Sequence, residues 1–328
     1  MLLVADVGGT KTRIALFNRK KPLKCIDEKS YSSKAFKALS DIIEDFLKPQ
    51  SKKIEGACFG IAGPVKKNSV QATNLPWVVD AKDLSKKLNL PQVYLINDLE
   101  ANAWGIQSLN EKDFFVLNEG EHHPGNAALI SAGTGLGEAG LYWNGKCHVP
   151  FACEGGHTDF GPRNELEVEL YLYLRKRYGH VSYERVVSGP GILELYEFLV
   201  NTGKEKRQFD IDLVEDPPLY ISDMGIKEKD PACKRALHWF VSLYGAESGN
   251  AALKFLSLGG VYIGGGIAPK ILNVIKKNKL DGFPSFLKSF EEKGRMIDIL
   301  ESMPVKIVLE ARTALLGCAE YALMKENK

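Results

Sequence analysis

No stretch of this sequence stays apolar for anything near the roughly 18 residues a membrane-spanning helix needs, so no membrane partner is expected. Its six cysteines include no CxxC pair, which in a chain this long points to reduced thiols and a cytoplasmic setting rather than to a disulfide framework. Charge of one sign is lacking too. The formal net charge of +2 is spread along the chain with no basic tail, and no helix-turn-helix pattern precedes the first glycine turn, so no nucleic acid is expected as a partner. The opening Met1-Leu2-Leu3-Val4-Ala5 carries no basic leader or cleavage-like site, and a soluble protein that is not exported is expected. Absence of a GxxxxGK[ST] segment excludes a P-loop.

What is present is ordinary globular composition, 45% hydrophobic and 26% charged, over 328 residues. Single cores stop growing at about 250 to 300 residues, so two lobes with a cleft are expected. Leu2 to Val7 reads as a strand, Gly8-Gly9-Thr10-Lys11-Thr12 as a turn, and Arg13 to Phe17 as the returning strand. Phe36, Leu39, Ile42, Ile43, Phe46 and Leu47 recur at helical spacing before Pro49. Ile54 to Ile61 and Val93 to Ile96 have the length and composition of buried strands. The hairpin then returns: Ala127 to Ala132, a Gly133-Thr134-Gly135-Leu136-Gly137 turn, and an apolar return through Gly140 to Trp143. This weak internal repeat suggests two related α/β lobes. Further helices are expected at Glu165 to Arg177, Pro190 to Val200, Ala232 to Phe255 and Ala311 to Lys325. Lys204 to Asp223, with Pro217-Pro218, reads as a surface excursion.

Three glycine clusters could hold phosphate. In the first, Gly8 and Gly9 let backbone N–H groups approach an anion, Thr10 and Lys11 add donors, and Asp6 could hold magnesium through its water shell. A plain hairpin turn is the alternative. Gly135 to Gly140 matches GxGxxG formally, but it continues as strand rather than opening a helix, so a dinucleotide fold is excluded on context. The third, Gly264-Gly265-Gly266, follows a short strand and precedes Pro269-Lys270-Ile271-Leu272, read as a helix start that favours negative charge. Close strand–helix packing is its alternative.

Polar residues form a second set. Asn97-Asp98 follows a buried strand, where open α/β sheets place ligands, and Asp98 could accept a sugar hydroxyl's proton; a helix N-cap is the bland reading. Cys153-Glu154-Gly155-Gly156-His157 could present Glu154 and His157 to a small polar ligand, and Asn74 and Glu184 add hydroxyl-recognising groups. Cys147, His148, Cys153 and His157 fit no common zinc spacing, and buried free thiols are the preferred reading.

Taken together, Asp6 to Thr10, Thr73-Asn74 with Trp77, Ile96-Asn97-Asp98, Gly133 to Gly137, Glu154 to His157, Glu184 to Gly191 and Gly264 to Ile267 resemble the bacterial glucokinases. That resemblance implies a two-lobed actin-like ATPase (ribonuclease H-like) fold with the sugar in the interlobe cleft, and lobes of 1–108 plus about 300–328 and of 109–299. It implies phosphorylation of glucose by ATP with magnesium, lobe closure around the sugar, and a homodimer. Asp98 becomes the catalytic base, with Asn74, Asn97, Glu154, His157 and Glu184 on the sugar. Gly8, Gly9 and Thr10 line the phosphates with Gly133, Thr134 and Gly135, and Gly264 to Gly266 border the adenosine. The chain departs from the family pattern in lacking Pro-Gly before Leu315-Leu316-Gly317 and in carrying Cys153 where glycine is common. Kinases of other hexoses and actin-like ATPases without a sugar substrate are the competing readings.

Overall fold

The computed structural model describes residues 1–50, 52–73 and 75–326. The chain divides into two compact units. The first comprises residues 1–113, 148–152 and 310–328, and the second residues 114–147 and 153–309.

The first unit begins with β1 (Leu2–Val7), β2 (Lys11–Phe17) and β3 (Cys25–Ser32), then α1 (Leu39–Leu47), β4 (Gly56–Ile61), a small ribbon of β5 (Ser69–Gln71) and β6 (Val78–Asp80), α2 (Ala81–Leu88), β7 (Val93–Asn97) and α3 (Asp98–Ile106). Its sheet runs β3-β2-β1-β4-β7; the first three strands are antiparallel, whereas β1, β4 and β7 are parallel. Strand alternation divides the apolar residues of β1 between two cores. Leu3, Ala5 and Val7 join Ile42, Phe46 and Leu84 on one face, while Leu2 and Val4 join Ala101, Leu315 and Ala319 on the other. Phe36, expected to start the first helix, instead closes a short 3₁₀ turn over Ser33–Ala35 and lies outside α1.

Two later segments complete this unit, the strand β11 (His148–Ala152) and the helix α11 (Thr313–Glu326). Val149 and Phe151 on β11 are exposed rather than packed as a strand interior. α11 lies against α3 at backbone distance. A Cβ on Gly317 would fall 1.7 Å from the Ala101 carbonyl oxygen, and one on Gly105 would fall 2.0 Å from that of Thr313. The segment leading into α11, which lacks the expected Pro-Gly, is held by Arg13, whose guanidinium donates to the Ala311 carbonyl.

The second unit contains β8 (Phe114–Asn118), β9 (Ala127–Ala132), β10 (Leu136–Trp143), β12 (Gly260–Gly264) and β13 (Val305–Val308). Its strands are ordered β10-β9-β12-β13-β8. β9 pairs antiparallel with β10 and parallel with β12, as β1 does with β2 and β4, so the repeated hairpin stands in the same local setting in each unit. Helices α4 (Glu165–Tyr178), α5 (Gly189–Asn201), α6 (Pro217–Ile226) and α7 (Pro231–Phe255) supply most of its core, with the shorter α8 (Leu272–Ile275), α9 (Phe286–Glu291) and α10 (Ile297–Glu301). The chain returns to the first unit at Glu310 rather than near 300, because Val305 and Ile307 on β13 are fully buried in the second unit's core.

One expectation is corrected here. Lys204 to Asp223 is not all surface excursion: Pro217 and Pro218 open α6, and the Asp216 side chain accepts the Leu219 N–H at 3.2 Å as its cap. Proline lacks the N–H that a first helical turn leaves unpaired, so the pair starts this helix instead of breaking it.

Candidate active site

In the first unit the β1–β2 register sets Asp6 opposite Arg13 and Val7 opposite Thr12, leaving Gly8, Gly9 and Thr10 as the tip. The Gly8 N–H donates to the Lys11 carbonyl at 3.0 Å. Behind the tip stands Ser33, which sequence reasoning did not single out. Its hydroxyl donates to the Gly8 carbonyl at 2.7 Å, lies 2.9 Å from the Thr12 hydroxyl, and its N–H donates to the Thr10 carbonyl at 2.9 Å. With the Gly8 and Thr10 carbonyls both tied back to Ser33, the glycine tip is braced from behind. No sequence pattern marks a serine just beyond a neighbouring strand for this task.

Asn97 and Asp98 sit at the carboxyl end of β7, beside β4 in parallel register. The Asn97 side-chain oxygen accepts the N–H groups of Leu99 (2.9 Å) and Glu100 (3.3 Å), making it the cap of α3, and its amide donates to the Gly63 carbonyl at 3.2 Å. Asn97 therefore carries the capping role weighed for Asp98, and one amide hydrogen remains for another partner. Replacing a cap of this kind by alanine typically costs about 1 kcal/mol. Asn97→Ala is expected to lower the stability of the first unit by that amount in denaturant titration, and Asn97→Asp, which keeps the acceptor, to lower it far less. Asp98 is the first residue of α3, its carbonyl receiving Asn102 Nδ2 at 3.0 Å. The negative charge of Asp98 reaches Asp6: burial first, then Asp98, push the Asp6 carboxyl up to about 6, against the opposing pull of Arg13. The prospective base and the floor of the phosphate hairpin are thus neighbours within one unit.

In the second unit three elements converge on the β9–β10 tip. Gly133 N–H donates to the Gly135 carbonyl, and Gly189 N–H to that of Gly133, both at 2.8 Å. Glu184, half-buried, accepts the Leu136 N–H at 2.9 Å, and its carboxylate leaves no space for a Cβ at Gly135, which would stand 2.5 Å from Oε2. Ser188 fixes the Glu184 turn by donating to its carbonyl at 2.7 Å while capping α5 through the Gly191 N–H at 3.0 Å. The Ser188-Gly189-Pro190-Gly191 run has the form of a helix start, and that signal could have found it.

The Glu154 to His157 loop lies directly on β10. A Cβ on Gly156 would meet the Leu136 carbonyl oxygen at 2.0 Å, and one on Gly155 would meet Glu138 Oε2 at 2.0 Å. Glycine is required at both positions by this approach, and the exposed side chains of Glu154 and His157, 3.9 Å apart, are turned away from the strand. Cys153 donates through sulfur to the Glu138 carbonyl at 3.2 Å; it is only partly buried and Cys147 is exposed, so neither is the buried thiol expected.

Gly264 pairs in register with Ser131 on β9. Gly265 has φ +82° and would bring a Cβ within 2.4 Å of the Ala132 carbonyl oxygen. The Gly264 to Gly266 turn is thereby laid beside the Gly133-Thr134-Gly135 tip. The expected helix at Pro269 is not formed: turns run to Ile271, and α8 is a four-residue helix from Leu272 without a side-chain cap. Tyr244, at the centre of α7 and fully buried, accepts the Ala132 N–H at 3.2 Å, and its hydroxyl lies 3.3 Å from both the Ile130 and Gly264 carbonyls. Set among apolar residues of a long helix, it gives no sequence signal. Asn74 lies outside the described residues.

Two glycine hairpins, each with its first strand paired in parallel to a later strand, are the pattern of the two-lobed actin-like ATPase fold on which a class of sugar kinases is built. A solved glucokinase from an Antarctic psychrotroph superposes with a TM-score of 0.85 at 28% identity, covering 100% of this chain and 99% of that one. The chain belongs to the glucokinase family: the family model for glucokinase matches residues 3–325. The glucokinase of Nostoc sp. is 40% identical over 97% of this chain and 98% of its own length, and that of Colwellia psychrerythraea is 36% identical over 97% and 95%. At 20% identity, a glucokinase from Streptomyces griseus solved with glucose and AMPPNP shares the fold, with a TM-score of 0.65.

Proposed function

We propose that this protein transfers the terminal phosphoryl group of ATP to the 6-hydroxyl of glucose in the cytoplasm, with Asp98 as general base. The observation that carries the mechanism is the parallel register of β1, β4 and β7, which sets Val7 level with Ile61 and Ile61 with Asn97. Asp98 thus leaves the sheet at the same end as the first glycine tip, which supports a proton acceptor beside the groups suited to phosphate. Phosphoryl transfer asks mainly for positioning and charge neutralisation. Gly8, Gly9 and Thr10, with Lys11, and Gly133 to Gly135 offer N–H, hydroxyl and ammonium donors to the phosphates. The Gly264 to Gly266 turn, open at Gly266, borders the adenosine. Glu154, His157 and Glu184 read the sugar hydroxyls, joined by Asn97 through its remaining amide hydrogen and by Asn74.

Magnesium accompanying ATP would neutralise phosphate charge, and Asp6 fits as the carboxylate that holds it through water: buried and pressed by Asp98, it is a group whose ionised form a cation would favour. A homodimer is part of the same proposal, on family resemblance. The test is to incubate the protein with ATP, magnesium and a panel of hexoses while measuring ADP and sugar phosphate. Glucose-dependent ADP release matched by glucose 6-phosphate is the expected result; stronger turnover of another hexose would reassign the substrate, and release indifferent to every sugar would refute the sugar site.

A further inference from the structure

Beneath the sugar loop lies a carboxyl group that the proposed mechanism does not use. Glu138, on β10, is 1% exposed, and its Oε2 fills the space where a Cβ of Gly155 would stand. Neither of its carboxyl oxygens makes a hydrogen bond of ordinary geometry among the described residues. The group it faces is Glu247 of α7, itself fully buried. Glu247 is provided for as an anion: Asn250 Nδ2 donates to one oxygen at 2.7 Å, and Lys254 Nζ stands 3.2 Å from the other. Glu138 has no such donors. A buried carboxyl in that position is tolerated as the neutral acid and opposed as the anion, both by burial and by the charge across from it.

We propose that Glu138 is a positioning residue for the sugar loop, supporting Gly155 from below as a neutral acid so that Glu154 and His157 are presented to the hexose, and releasing the loop when it ionises. This rests on the reading of residues 154–157 as the sugar loop. Burial first and then Glu247 push the Glu138 carboxyl up to about 8, against the pull of Lys254, so the neutral form prevails at pH 7 and is lost above pH 8. Other ionisable groups surround the pair. Cys153 and Glu154 flank it in the loop, and the Cys153 thiol is pushed up by burial. Tyr183, pushed up to about 12, faces Glu247 and receives Asn250 Nδ2 on its hydroxyl. Lys293, whose ammonium donates to the Ala246 carbonyl, is pushed down to about 8 by burial and also faces Glu247. Lys293 therefore titrates in the same range, and the test must separate the two.

The measurement is KM and kcat for glucose, with glucose affinity by equilibrium dialysis, from pH 6.5 to 9.5 for the wild type, Glu138→Gln and Glu247→Gln. If only the neutral form binds well, apparent KM rises about tenfold between pH 7 and pH 9 in the wild type, with kcat and the KM for ATP nearly unchanged. Glu138→Gln, neutral at every pH and able to fill the same space, is expected to hold KM flat while keeping Lys293. Glu247→Gln removes the opposing charge and is expected to move the onset of the rise to lower pH. A rise that survives in Glu138→Gln, a flat wild-type profile, or an unmoved onset in Glu247→Gln would each overturn the inference. Failure of the wild type to bind glucose at pH 7 would instead sink the sugar-loop reading on which it stands.

Discussion

Asp98→Asn is expected to bind glucose and ATP much as the wild type does and to turn over roughly 10² to 10⁴ times more slowly, the usual worth of a positioned general base. The structure gives the reason for separating the two effects. Asp98 is not the cap of α3; Asn97 is, and Asn102 contacts the Asp98 backbone rather than its carboxylate. Removing the charge thus leaves both the helix start and its backbone contacts in place. It also relieves the pressure on Asp6, whose proton affinity Asp98 raises. Steady-state kinetics with equilibrium dialysis checks this. A variant with near wild-type kcat would show that the hydroxyl's proton goes elsewhere, whereas a variant that loses glucose affinity in the same proportion would make Asp98 a binding group only.

Gly317→Ala is expected to lower stability by about 3 kcal/mol, the upper part of what overpacking ordinarily costs, and the thermal midpoint by roughly 6 to 12 °C. The added methyl would stand 1.7 Å from the Ala101 carbonyl oxygen and 2.6 Å from the Gly105 nitrogen, and those are backbone atoms that cannot swing aside as a side chain does. α3 must therefore shift along its whole contact with α11. Because Asp98 is the first residue of α3, turnover should fall with stability even though Gly317 is far along the chain from any proposed ligand contact. Thermal unfolding and kcat measured on one preparation test it; a stable variant with unchanged kcat would mean the helices can separate at no cost.

Strands made of continuous apolar runs were the easiest elements to read, because their boundaries coincide with changes in side-chain type, whereas the polar β3 and the short β8 and β13 were not read. Leu2–Val7 and Ala127–Ala132 begin and end where the apolar runs do. The glycine tips were legible for the same reason. Harder were elements decided by one backbone approach or one cap. Pro217 and Pro218 read as breakers and are helix starters once Asp216 caps them, and Pro269 reads as a starter yet is followed by turns, since Ala268 before it has no side-chain oxygen to cap a helix. Among the residues proposed for the site, Asn97, Asp98, Glu154 and His157 stand out in the sequence as polar groups beside glycine or at a strand end, whereas Glu184 carries neither signal. Ser33, Tyr244 and Glu138 do not stand out either, since each serves a segment distant in sequence and its importance exists only after folding.

Tyr244 has a consequence for how ligand fragments should behave. One phenolic hydrogen is shared between the Ile130 and Gly264 carbonyls, while the oxygen takes the Ala132 N–H. The ends of β9 and β12 are thereby clamped at a common point, and the turns that follow them are carried as a single pre-spaced pair. A molecule long enough to touch both makes its second contact at the high effective concentration of a rigid linkage, and the halves of such a molecule, offered separately, should bind far more weakly than their joined form.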